Sequence, residues 1–219
     1  HTVAVDTAEG EKLFKADRIF INTGATPFVP PVEGLTIGGA IHTSETIMNL
    51  EEYPESLVII GSGFIGLEFA ATYAQFGTKV TVIDVTEAFL PREDDDVAQA
   101  VKEQLEALGV TFNLGVQLKA VHQEGGKAVV EATTGEGAPV AFTADAVLVA
   151  TGRRANVQGL DLDKAGVELT ERGAIKVNEF LQTNVPHIFA MGDVNGGPQF
   201  TFVSLDDFRI VKRFLAGDT

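Results

Sequence analysis

Four apolar residues, Leu57, Val58, Ile59 and Ile60, lead directly into Gly61-Ser62-Gly63-Phe64-Ile65-Gly66. A helix-forming run follows to Phe76, Gly77 stops it, and a second β-branched run, Val80 to Ile83, ends on Asp84. A buried-type strand, Gly-x-Gly-x-x-Gly, a helix and then an acid closing a second strand predict a βαβ unit of the kind that holds a dinucleotide.

Each position of that unit has a physical role. Gly61 permits the sharp strand-to-helix turn, Gly63 removes a side chain from the path of a pyrophosphate, and Gly66 lets the helix lie close to the strand. The backbone N–H groups of the first helical turn, at Phe64, Ile65 and Gly66, then face the phosphates, with the helix dipole adding attraction. Asp84 stands where a carboxylate accepts hydrogen bonds from the adenosine ribose. A 2′-phosphate there would meet a negative charge and no neighbouring arginine, so the sequence favours NAD(H) over NADP(H).

The chain has 219 residues, 45% of them apolar, enough for one large or two modest cores. A net charge of −15 argues against nucleic acid as a partner, because a phosphate backbone needs a basic face. No apolar run is long enough to span a membrane. With no cysteine, the chain holds neither a disulfide, a thiolate metal site nor a cysteine nucleophile. The four histidines have no ligand spacing, and the acids Glu93 to Asp96 read as dipole partners at a helix start rather than as a metal site. No serine sits in a nucleophile elbow.

In chain order, Val3–Asp6, Lys12–Lys15 and Arg18–Asn22 read as short strands, followed by the turn Thr23-Gly24-Ala25-Thr26-Pro27. A short helix is expected over 43–50, capped by Thr43 or Ser44. Apolar residues at 97, 101, 105 and 108 predict a second helix, stopped at Gly109. From Val110 to Val149 the pattern is a strand-rich meander, and it ends in a second Thr-Gly turn, Thr151-Gly152-Arg153. Gly192-Asp193 follows an apolar strand and so puts a carboxylate at a strand end, where ligands of α/β folds bind. A last helix is expected from Phe200 to Leu215, with Arg209, Lys212 and Arg213 toward its C-terminus.

Taken together, these pieces resemble the pyridine nucleotide-disulfide oxidoreductases, the flavoenzymes that include lipoamide dehydrogenase, glutathione reductase and mercuric reductase. The run from Gly192 through Ser204-Leu205-Asp206-Asp207-Phe208 is most similar to bacterial reductases linked to reactive-chlorine or hypothiocyanous-acid resistance. The resemblance implies an α/β fold: a Rossmann-like NAD-binding domain with a β-meander, inserted into part of an FAD-binding domain. The expected division is 1–50 for the first FAD-domain segment, 51–150 for the NAD(H)-binding domain and 151–219 for the returning FAD-domain segment. Thr23-Gly24 and Gly152-Arg153 match the family's two crossing points. Gly192-Asp193 matches its late flavin motif, whose aspartate bonds the ribityl chain, and the N-terminus of the helix that starts near Phe200, with Thr201 near its start, would face the flavin's pyrimidine edge.

Further roles are implied by position alone. Phe64 matches an aromatic that covers the flavin and moves aside for nicotinamide, Glu68 a helix carboxylate that pairs with a lysine near flavin N5, and Arg153 an arginine near the cofactors. Core packing, a solvated helix face and a surface charge are the respective alternatives. The family's first Gly-x-Gly-x-x-Gly, its redox cysteine pair and its dimer domain are absent, and Ala155 replaces the usual proline of Thr-Gly-Arg-x-Pro.

The chain is therefore expected to be an internal fragment of a cytoplasmic, homodimeric NADH oxidoreductase that carries FAD in its full-length form, inactive by itself and a poor FAD binder. Hydride would pass from NAD(P)H to flavin and on to a disulfide or small oxidant. A disulfide-free flavoprotein, such as a NADH oxidase or a ferredoxin-reductase-like protein, and a non-catalytic NAD-sensing module are the alternatives.

Overall fold

The computed structural model describes residues 2–218. They group into two compact units: one is continuous, Pro27–Gly152, and the other joins the segments before and after it. The chain opens with β1 (Thr2–Thr7), β2 (Gly10–Lys15), β3 (Ile19–Ile21) and β4 (Ala25–Pro27). β5 (Ile41–Thr43), β6 (Ser56–Ile60), α1 (Phe64–Gln75), β7 (Lys79–Ile83) and α2 (Asp95–Ala107) come next. The strands β8 (Thr111–Asn113), β9 (Gln117–Glu124), β10 (Lys127–Thr133), β11 (Pro139–Ala144) and β12 (Ala146–Val149) complete the continuous unit. The returning segment supplies β13 (Arg153–Ala155), β14 (Ile188–Ala190) and α3 (Thr201–Leu215).

In the continuous unit a five-stranded sheet of order β5-β12-β6-β7-β8 is parallel at every pairing. Parallel strands must be covered on both faces, which is why β12 and residues 57–60 of β6 are apolar without interruption. Alternate residues serve the two covers. Leu57, Ile59, Val80, Val82 and Leu148 pack with Leu67, Ala70 and Tyr73 of α1 and Leu105 of α2. Val58, Ile60, Ile83, Val147 and Val149 pack on the other side against Val121, Ala128 and Val130 of the antiparallel meander β9-β10-β11. Helices, sheet and meander thus form three layers.

Residues 27–50 belong by packing to this unit, so its border falls at Pro27 rather than at residue 51. Leu35, Ala40 and Ile41 enter the meander-side core, and Ile47 enters the helix-side core, where the Tyr73 hydroxyl donates to its carbonyl at 3.2 Å. The helix expected over 43–50 shrinks to a single 3-10 turn, Ile47–Asn49. Thr43 is not its cap, because it ends β5, and the Thr46 hydroxyl accepts the Thr43 N–H at 3.0 Å. A three-residue strand is too short for periodicity to reveal, and its partner β12 lies far along the chain.

In the other unit β1 and β2 form an antiparallel hairpin, and β3 pairs with β14 in parallel, with Phe20 stacked on Phe189 at 5.4 Å. β4 pairs with β13. α3 covers this core through Val211, which packs with Leu181 and Phe189. The α/β class, with one unit inserted into a discontinuous other, is the one expected from the sequence. Among the described residues no helix is long and apolar enough to cross a membrane.

Candidate dinucleotide-binding site

The glycine turn between β6 and α1 uses its three glycines differently. Gly61 has φ +113°, and a Cβ there would lie 2.4 Å from the Ala150 carbonyl oxygen. Gly66 is a contact glycine: its Cβ would lie 2.1 Å from the Gly61 carbonyl oxygen and 3.3 Å from Ile59 Cγ2. Gly63 is neither. Its φ of −75° suits any residue, and a Cβ there meets nothing within 4 Å. The chain's own packing leaves that space open, as it must be if a ligand is to approach the backbone.

Gly63 is also the N-cap of α1, which carries no side-chain cap and no acid in its first turn. The first intrahelical bond runs from Leu67 N–H to the Gly63 carbonyl at 3.0 Å. The N–H groups of Phe64, Ile65 and Gly66 precede it, and with the dipole they form the positive end suited to a phosphate. Phe64 is 47% exposed, so it is not a core residue. Glu68, one turn further on the same face, is exposed as well.

Asp84 follows the last residue of β7 and reaches back across the turn. Its Oδ2 accepts the Ser62 N–H at 2.6 Å and the Ser62 hydroxyl at 2.7 Å. Its Oδ1 accepts the Thr86 N–H at 2.9 Å and the Thr86 hydroxyl at 2.5 Å. Burial pushes this carboxyl up, but the four bonds, led by the Thr86 hydroxyl, outweigh it and hold the group below the ordinary carboxylate range. Ser62 and Thr86 were not singled out in the sequence. The Asp-x-Thr spacing, which lets a carboxylate cap its own turn two residues on, is the signal that could have found Thr86.

A second carboxylate of this unit is held low in the same sense. The Lys127 ammonium at 2.7 Å and the Ser56 hydroxyl at 2.5 Å keep Asp145 down against its burial. A depressed carboxylate contributes stability that is complete above its unfolded value, about 4, and is lost as pH falls through the folded value. The melting temperature of the protein is therefore expected to drop on acidification below about pH 4, and the drop should be shallower in Asp84→Asn and Asp145→Asn. Parallel curves for variant and parent would show that neither carboxylate carries that loss.

The remaining site residues lie in the discontinuous unit or at its border. The Thr23 hydroxyl donates to the Asn156 carbonyl at 2.6 Å, Asn156 N–H donates to the Gly24 carbonyl at 2.9 Å, and the Arg153 guanidinium donates to the Ala25 carbonyl. Gly152 accepts from the Phe28 N–H at 2.9 Å, and the Thr151 hydroxyl donates to Phe28 at 2.7 Å. Gly192 and Asp193 begin a 3-10 turn, Gly192–Asn195, directly beyond β14. A Cβ on Gly192 would lie 2.8 Å from Asn22 Oδ1, so the ends of β3 and β14 meet closely there.

Asp207 was legible only as part of a resembling run, yet it organises this turn. The residue is 7% exposed on α3, and one carboxylate oxygen accepts the Gly192 N–H at 2.8 Å and Asn195 Nδ2 at 2.9 Å. The neighbouring Asp193 is half-buried, and Thr201 is exposed at the first position of α3. Among the described residues no group of His, Cys, Asp and Glu is placed to hold a metal ion.

The family described as pyridine nucleotide-disulphide oxidoreductase has a sequence model that matches residues 1–207. The chain belongs to that family. Over 218 residues it is 41% identical to a probable pyridine nucleotide-disulfide oxidoreductase, RclA, of Escherichia coli K12, covering all of this chain and 48% of the relative. It is 36% identical to a dihydrolipoyl dehydrogenase of Bacillus subtilis, covering 97% of this chain and 45% of the relative. The solved structure of the HOCl-induced flavoprotein disulfide reductase RclA from E. coli superposes with a TM-score of 0.92 at 38% identity, over all of this chain and 48% of that one. LpdA from Mycobacterium tuberculosis superposes at 0.89 with 27% identity, over all of this chain and 47% of that one. The family chain described here thus spans about half the length of these relatives.

Proposed function

We propose that the continuous unit is the NADH-binding portion of an FAD-dependent oxidoreductase, and that the discontinuous unit is part of its flavin-binding domain. The observation that carries this reading is the open space at Gly63, bordered by the uncapped start of α1 and by a carboxylate pinned at the end of β7. Gly61, Gly63 and Gly66 shape the turn, the first-turn N–H groups hold the pyrophosphate, and Asp84 recognises the ribose, with NADH preferred over NADPH. Phe64 and Glu68, exposed one turn apart, are assigned to the nicotinamide end. Gly192, Asp193 and Thr201, with Thr23, Gly24, Gly152 and Arg153, are assigned to the flavin.

Bound together, the two cofactors supply hydride transfer, and the chain's residues bind and orient them. The electron acceptor is a disulfide or a small oxidant, as the names of the RclA and dihydrolipoyl dehydrogenase relatives suggest for those proteins. The full-length protein is assigned as a cytoplasmic homodimer. Anaerobic addition of NADH to the full-length protein tests the reading through its visible spectrum. Bleaching of a flavin with a new long-wavelength band, from a thiolate beside the ring, is the expected result. Bleaching without the band would favour a disulfide-free flavoprotein, and absence of flavin would leave only the NADH-binding unit standing.

A further inference from the structure

The Asp84 carboxylate is fully occupied within the chain itself. A carboxylate offers about four lone-pair positions, and Ser62 and Thr86 fill them with one N–H and one hydroxyl on each oxygen. A ribose hydroxyl can bond this group only by displacing one of those four donors.

Three of the donors are held in place. The backbone around Thr86 is clamped, because Asp84 N–H donates to Asn113, Gly115 N–H donates to Thr86 at 3.0 Å, and Val116 N–H donates to Asp84 at 2.8 Å. The Ser62 N–H belongs to the glycine turn. The Ser62 hydroxyl sits on a residue only 5% exposed, where a displaced O–H would lose its partner with little water to replace it. The Thr86 hydroxyl differs from all three. Its residue is exposed, and a rotation about χ1 between staggered wells hands the O–H to solvent while the backbone stays fixed.

We infer that Thr86 sets nucleotide affinity and preference by competition: its hydroxyl holds the place on Asp84 that the ribose 2′-hydroxyl takes, and turns to solvent when NADH binds. The inference rests on the proposed role of Asp84 and deepens it. Removing the hydroxyl while keeping the side-chain shape frees the position in advance, so NADH gains the bond without an exchange. A 2′-phosphate is mostly dianionic at neutral pH, has little proton to offer the carboxylate, and gains nothing. The hydroxyl therefore lowers the preference for NADH that Asp84 creates.

The test uses the full-length holoenzyme and oxidised nucleotides, which bind without turnover. Dissociation constants for NAD+ and NADP+ are measured by titration calorimetry in the parent, Thr86→Val, Thr86→Ala, Thr86→Ser and Asp84→Asn, with melting temperatures alongside. Thr86→Val and Thr86→Ala are expected to bind NAD+ about three- to tenfold tighter, the size of one exchanged hydrogen bond. NADP+ affinity should not improve, and Thr86→Ser should match the parent. If Asp84→Asn weakens NAD+ while both hydroxyl-free variants bind it no tighter than the parent, the competition is overturned and the Asp84 role stands. If Asp84→Asn leaves NAD+ affinity unchanged, the two fall together.

Discussion

Alanine at Gly66 is expected to destabilise the protein by about 2 kcal/mol or more, whereas alanine at Gly63 should leave stability nearly unchanged and weaken NADH about 5- to 150-fold. At Gly66 the new Cβ would lie 2.1 Å from the Gly61 carbonyl oxygen, backbone that cannot swing aside. Helix propensity favours alanine by about 1 kcal/mol, but overpacking costs ~1–3 kcal/mol and occasionally more, so the clash wins. At Gly63 the methyl meets nothing within 4 Å, and φ is −75°. Alanine is the poorer N-cap there, and the loss is offset by the smaller conformational freedom of the unfolded chain. What the methyl would meet is the proposed pyrophosphate. Thermal melts and NAD+ titration of both variants separate the two effects. A Gly63→Ala protein that folds and binds like the parent would rule out a phosphate path over that residue.

Asp84→Ala should act on both folding and binding. Four donors lose their acceptor, two of them on the buried Ser62, and an orphaned buried group costs about 1–3 kcal/mol. Thr86 is exposed, so its hydroxyl turns to water and its N–H stays within reach of solvent, and most of the loss comes from the Ser62 side. NADH should weaken by an amount toward the lower end of the ~1.5–3 kcal/mol typical of a bond to a charged group, because the ribose replaces an existing donor. NADPH should lose less or gain, since a charge facing its 2′-phosphate is gone. Equal losses for the two nucleotides, measured on protein shown by its melt to be folded, would remove Asp84 from ribose recognition.

The geometry at the core of the candidate site was readable because its information is local. Gly61 to Gly66, the helix after them and Asp84 fall within one βαβ unit, and the steric need at Gly61 and Gly66 follows from short-range geometry. The exposure of Phe64 was not legible, because an apolar residue next to a buried strand reads equally well as core. Asp207 was hidden for a different reason. A carboxylate on a helix ordinarily reads as solvated surface, and only the approach of the Gly192–Asn195 turn turns it into a buried acceptor.

The sequence by itself determined the βαβ unit and the α/β class, because spacing of apolar residues and glycines acts over one or two turns of chain. The tertiary structure alone decided that residues 27–50 pack with the inserted unit, that β5 borders β12, and that the meander forms the second cover of the parallel sheet. It alone decided that Asp84 carries a full set of donors. Strand pairing, covering layers and the saturation of a carboxylate are set by groups that meet only when the chain has closed. Their stabilisation comes from burial and from bonds between distant segments, which no local pattern records.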